Sequence, residues 1–194
     1  MPTRRDVALA VTEVLAPAHL AAAVGLGVSL RAGAGVVPGL LWAALVVLFT
    51  AVLPYAFILL GVRAGWWRDR HVPELARRPA ALSFGVASVL AGLSLLVRLG
   101  APREILALVV AQVVGLAVAA LISVVWKVSI HVAVACGSVA VVLLVFGSAW
   151  AWTAVPALAV AWSRLELRAH TVPQVVGGAG LGTAVAAGVF TLVA

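Results

Sequence analysis

Ala107-Leu-Val-Val-Ala-Gln-Val-Val-Gly-Leu116 carries a single polar side chain, Gln112, in ten residues, with no alternation of polar and apolar positions. A strand crossing a bilayer belongs to a closed barrel and alternates; a stretch apolar on every side reads as a helix surrounded by lipid or by other helices. Extended to its polar neighbours, the run spans Ile105 to Trp126. That is the length of roughly 20 apolar residues a spanning helix needs.

The same texture recurs outward in both directions, at Val7 to Leu30, Val36 to Val62, Ala80 to Val97, Ile130 to Phe146, Ala149 to Trp162 and Val172 to Val193. The chain has 194 residues, 65% of them hydrophobic and 10% charged, with a mean hydropathy of +1.23. So little polar surface cannot clothe a water-soluble globule. The expected fold class is all-α: a polytopic integral membrane helix bundle with six to seven transmembrane helices, one domain over residues 1–194. The stretch after Arg4 and Arg5 contains Glu13, Pro17 and His19, which predicts a retained span rather than a cleaved signal. The lone Cys136 lies in an apolar run and predicts only packing.

Polar residues collect on one side if all seven segments cross. Arg4, Arg5, Arg63, Arg68, Arg70, Arg77, Arg78, Lys127, Arg164 and Arg168 fall on one face, and Arg31, Arg98 and Arg103 on the other. Ten cations against three predict that the richer face is cytoplasmic, in a plasma (inner) membrane. The scatter of these cations among spans argues against a nucleic-acid partner. Trp66, Trp67, Trp126 and Trp162 fall near the basic face and Trp42, Trp150 and Trp152 near the other, as interfacial belts would.

Three clusters lie on the basic face: His71-Val-Pro-Glu-Leu-Ala-Arg-Arg78-Pro79, Lys127-Val-Ser129-Ile-His131, and Ser163-Arg164-Leu-Glu-Leu-Arg-Ala-His170-Thr-Val-Pro-Gln174. Arginine forks bind phosphate oxygens, one imidazole can attack phosphorus and a second can protonate a leaving alkoxide, so this set suits phosphoryl transfer without a metal or other cofactor. The spacing resembles the type 2 phosphatidic acid phosphatase superfamily. That family reads Lys, six residues, Arg-Pro; then Pro-Ser-Gly-His; then Ser-Arg, five residues, His, three residues, Asp. The third motif is nearly complete in Ser163-Arg164, His170 and Gln174; the second keeps Ser129 and His131; the first keeps Arg78-Pro79 with His71 in place of lysine.

The resemblance implies that His170 is the nucleophile, His131 the general acid, and that His71, Arg78, Ser129 and Arg164 hold phosphoryl oxygens of a membrane lipid phosphate. Gln174 stands where the family has the carboxylate that orients the nucleophile. Its amide oxygen can accept the imidazole N–H but cannot offset the charge of a phosphorylated histidine, so slow turnover is expected. His71 makes phosphate affinity depend on imidazole protonation. Two readings follow: a lipid phosphate phosphatase, or a weakened relative that binds lipid phosphates without efficient turnover. A transporter is set aside, since the spans show no paired broken helices. Asp6 and Asp69 are the only aspartates, too few for an Mg²⁺-binding carboxylate cluster. Arg63, Arg68, Arg77 and Arg168 read as topology anchors, and Glu13 as a near-interface carboxylate outside the site. Gly177, Gly178, Gly180 and Gly182 read as helix packing rather than a nucleotide loop.

Overall fold

The computed structural model describes residues 2–70, 72 and 75–194, with the backbone alone at Leu75 and Arg78. Among these residues there is no strand; the chain is a bundle of α1 (Arg4–Val14), α2 (Pro17–Ala32), α3 (Val36–Val47), α4 (Leu53–Arg63), α5 (Arg78–Arg98), α6 (Arg103–Ile122), α7 (Ile130–Phe146), α8 (Ala154–Glu166) and α9 (Val172–Val193).

Four runs are long and apolar enough to cross a bilayer: Val36–Arg63, Pro79–Arg98, Arg103–Ile122 and Val172–Val193. The bent pair α1–α2 makes a fifth. The expectation of six to seven spans is therefore met only in its coarser form. Of the other two apolar segments, α7 has 17 residues, about 25 Å against a hydrocarbon core of about 30 Å. The last divides into a 3-10 turn at Ser148–Thr153 and the 13-residue α8.

Two segments expected to be plain helices are irregular, each beside a proline. The first bends by 44° between Val14 and Pro17. Pro17 lacks the N–H that would bond the Glu13 carbonyl four residues back. His19 Nδ1 lies 3.0 Å from that carbonyl and 3.2 Å from the Val14 carbonyl, so the ring nitrogen donates into the gap. In the second, Pro54 cannot serve the Thr50 carbonyl, and Leu48–Val52 widens into a π turn. Ser88 Oγ on α5 donates to the Phe49 carbonyl at 2.7 Å.

α7 and α9 pack closely against each other. A Cβ on Gly178 would sit 2.6 Å from the Ser129 carbonyl, and one on Gly182 would collide with the Ala133 carbonyl. The glycines at these two positions serve helix approach, as expected, whereas Gly180 faces open space. One apolar core joins Val28, Val46, Val89, Ile105, Val141 and Phe190. A second, of Val132, Ala157, Val160 and Val175, lies between α7, α8 and α9.

Candidate active site at the basic end of the bundle

The tight α7–α9 contact joins the second and third sequence clusters. Ser129, the N-cap of α7, donates its backbone N–H to the Gln174 carbonyl at 3.2 Å. His170 lies in the α8–α9 turn, buried, with its N–H and that of Ala169 directed to the Arg164 carbonyl. Its Nδ1 is 3.2 Å from Gln174 Oε1 and 3.3 Å from the Lys127 carbonyl.

Those two contacts decide the tautomer. Gln174 is the third residue of α9, and its side chain closes a capping box with Thr171, whose backbone N–H donates to Oε1 at 3.1 Å. An N–H needs an acceptor, so the amide oxygen, not the nitrogen, faces this turn. The same oxygen and the Lys127 carbonyl can only accept, which places the proton of a neutral His170 on Nδ1 and the ring lone pair on Nε2. Gln174 thus fixes the orientation of the His170 ring.

Arg164, at the end of α8, is buried, as is its neighbour Ser163. Ser163 Oγ donates to the Val160 carbonyl at 2.8 Å and meets Thr12 Oγ1 of α1 at 3.0 Å. Arg164 Nη1 approaches the same Thr12 oxygen at 3.4 Å. Burial pushes the Arg164 guanidinium below its ordinary range, partly countered by the charges of Asp69 and Glu13. Arg164 Nε and Ser129 Oγ are wholly buried and have no hydrogen-bond partner among the described residues. Buried polar atoms are almost always paired, so an orphan of this kind marks a place where a ligand, ion or water belongs.

No family model, curated protein or solved structure matches this chain. What the site can do rests on its own geometry.

Glu13, left outside the site on sequence grounds, lies at the same end of the bundle. At the end of α1 it meets Arg70 in a 2.9 Å ion pair, and Arg70 also bonds Tyr55 of α4. The Tyr55 hydroxyl, and after it the Glu13 carboxylate, hold the guanidinium of Arg70 above its ordinary range. The loop reaches there because Trp67 is pinned. Its Nε1 donates to the Ile58 carbonyl at 2.9 Å, and its ring fills the space a side chain at Gly61 would need. Trp67 is therefore buried rather than part of an interfacial belt, while Trp66 is half exposed. Arg4 pairs with Glu166 at 3.7 Å. The N-terminus, the loop after α4, the Lys127 junction and the α8–α9 turn thus meet at one end of the bundle.

A largely apolar cavity of about 290 Å³ has Glu13, Tyr55, Arg70, Val72 and His131 in its lining. Val72 is buried there with φ 43°, an unfavourable conformation for a β-branched residue. His131 is in the first turn of α7. Of the first cluster, His71 and the side chain of Arg78 lie outside the described residues; the Arg78 backbone opens α5. The Glu13–Arg70 pair had no signal beyond a carboxylate set close to an apolar run, because its partner is 57 positions away.

Proposed function

We propose that this chain is a metal-independent phosphatase of membrane lipid phosphates, monoesters or diphosphates, acting through a phosphohistidine at His170. The observation that carries the reading is the placing of His170 Nδ1 against the oxygens of Gln174 and Lys127, which favours the Nδ1–H tautomer. It puts the nucleophilic lone pair on Nε2. Attack forms the N–P bond as the P–O bond to the lipid breaks, and the departing alkoxide takes a proton from His131. Water then cleaves the N–P bond, giving its proton to His131. Arg164 Nε and Ser129 Oγ have unmet hydrogen-bonding capacity that phosphoryl oxygens would meet, with His71 and Arg78 completing the cradle.

The lipid body would occupy the cavity beside His131, whose volume is near the lower end of small-molecule pockets. The site faces the cytoplasm of a plasma membrane on the positive-inside count. Purified protein in detergent, without added metal, should release phosphate from at least one lipid mono- or diphosphate, and His170→Ala should abolish release. Activity persisting in that variant would sink the assignment.

A second reading, a binder with little turnover, is favoured by one feature. Asp69 and Glu13 already act on the charge of Arg164, and Gln174 brings none to offset a phosphorylated imidazole. Acid-labile radiolabelled phosphate trapped on His170 would count against it.

A further inference from the structure

Among the described residues that line the cavity, Glu13 and Arg70 carry the formal charges, and most of the wall is apolar, with Val24, Val89, Leu108 and Val141 in it. Arg70 arrives there through a short turn. The Val72 N–H donates to the Asp69 carbonyl at 3.1 Å, which closes the chain around Arg70. Val72 itself is buried in the same lining with its φ of 43°. A strained value of that kind persists only where the surroundings impose it, and here it keeps both residues against the cavity.

The Arg70 guanidinium contacts Glu13 Oε1 at 2.9 Å and donates to the Tyr55 hydroxyl. A guanidinium has five N–H donors in a planar fork. Glu13 and Tyr55 are its partners among the described residues, so donors remain for a ligand. They are within reach, because the side chains of Arg70 and Glu13 are 47% and 35% exposed. An ion pair so open to solvent strengthens association by a factor of about five at most. An incoming anion can therefore replace Glu13 at small cost. Glu13 is less suited to hold a cationic head group, since the charges of two guanidiniums, Arg70 and Arg164, already draw on it. Apolar walls beside a reachable cation suit a molecule with an apolar body and an anionic head.

We propose that Arg70 is a head-group residue: its guanidinium binds the anionic head of an amphiphile whose tail lies in the cavity, and Glu13 is the internal anion that this head displaces. The site rests on the reading that the cavity holds a lipid body; it does not rest on phosphate cleavage at His170.

Oleoyl lysophosphatidate has a tail and a charged head, monoolein the tail without the charge, and inorganic phosphate the charge without the tail. Their affinities for the purified full chain in an uncharged detergent can be compared by titration calorimetry. Lysophosphatidate should bind about tenfold tighter than monoolein, with inorganic phosphate the weakest of the three. Arg70→Gln should remove that preference and leave monoolein binding as it was. Glu13→Gln keeps the shape of the side chain and removes the competing charge, so it should raise lysophosphatidate affinity about two- to fivefold. A pair that only braces α1 against the loop would give two variants with lowered thermal midpoints and an unchanged preference, and that result overturns the proposal. So does equal binding of the two lipids by the unaltered protein, or inorganic phosphate binding as tightly as lysophosphatidate. A preference lost in Arg70→Gln, with no phosphate release from any lipid, upholds the site and removes the phosphatase. Phosphate release with no preference, and with the KM unchanged in Arg70→Gln, does the reverse.

Discussion

Gln174 performs two tasks with one oxygen: it caps α9 through the Thr171 N–H and holds the His170 Nδ1 proton. Gln174→Leu should lower phosphate release about 10–100-fold, the usual effect of losing a group that orients a reacting imidazole. Gln174→Asp should raise the rate, because a carboxylate also offsets the charge of the phosphorylated ring. The shorter side chain can still close the cap, since Asp6 does so at the equivalent position of α1, accepting from the Thr3 N–H at 2.9 Å. Phosphate release by the two variants, measured beside the parent protein, checks both directions, and a slower Asp variant would contradict the role given to charge. The contact of His170 with the amide oxygen of Gln174, one helical turn on, was legible in the linear spacing. The tautomer was not, because it depends on the Lys127 carbonyl arriving from the connection between α6 and α7.

At the scale of elements, α7 and α9 approach closely enough to bring Ser129 and Gln174 into hydrogen-bond contact, and glycine makes that approach possible. Gly182→Ala sets a methyl against the Ala133 carbonyl, whereas Gly180→Ala meets open space. The first should destabilise the protein by about 1–3 kcal/mol, as overpacking of a close contact does, and the second should change little. Thermal unfolding midpoints of the two variants in one detergent provide the comparison; equal midpoints would mean that the helices are not so close. That glycines in α9 mean packing was readable in the sequence, but which of them touch α7 was not. Helical phase relative to a neighbour decides it, and the neighbour's phase is a tertiary property. The irregularities in the first two apolar segments have a local cause in Pro17 and Pro54. Hydropathy alone passes over them, since a proline hardly alters the mean.

Across the whole molecule, α5, α6 and α7 lie between the loop after α4 and the 3-10 turn at Ser148–Thr153. If all three cross, Arg68 and Ser148 face opposite sides of the membrane even though α7 is short. In a Cys136→Ala background, Arg68→Cys should react with an impermeant maleimide from the cytoplasmic side and Ser148→Cys from the other. Labelling of both from one side would show that one of the three helices fails to cross. What the sequence by itself determined is the all-helical class, with apolar runs long enough to cross a bilayer, and the grouping of basic clusters, because hydropathy and charge are properties of the chain read in order. The tertiary structure alone decided that Glu13 joins Arg70, that Trp67 is buried, and that Thr50 and Gln112 line one cavity. Each of these depends on residues distant in sequence meeting in space, and a meeting of that kind is set by how helices pack rather than by any local pattern.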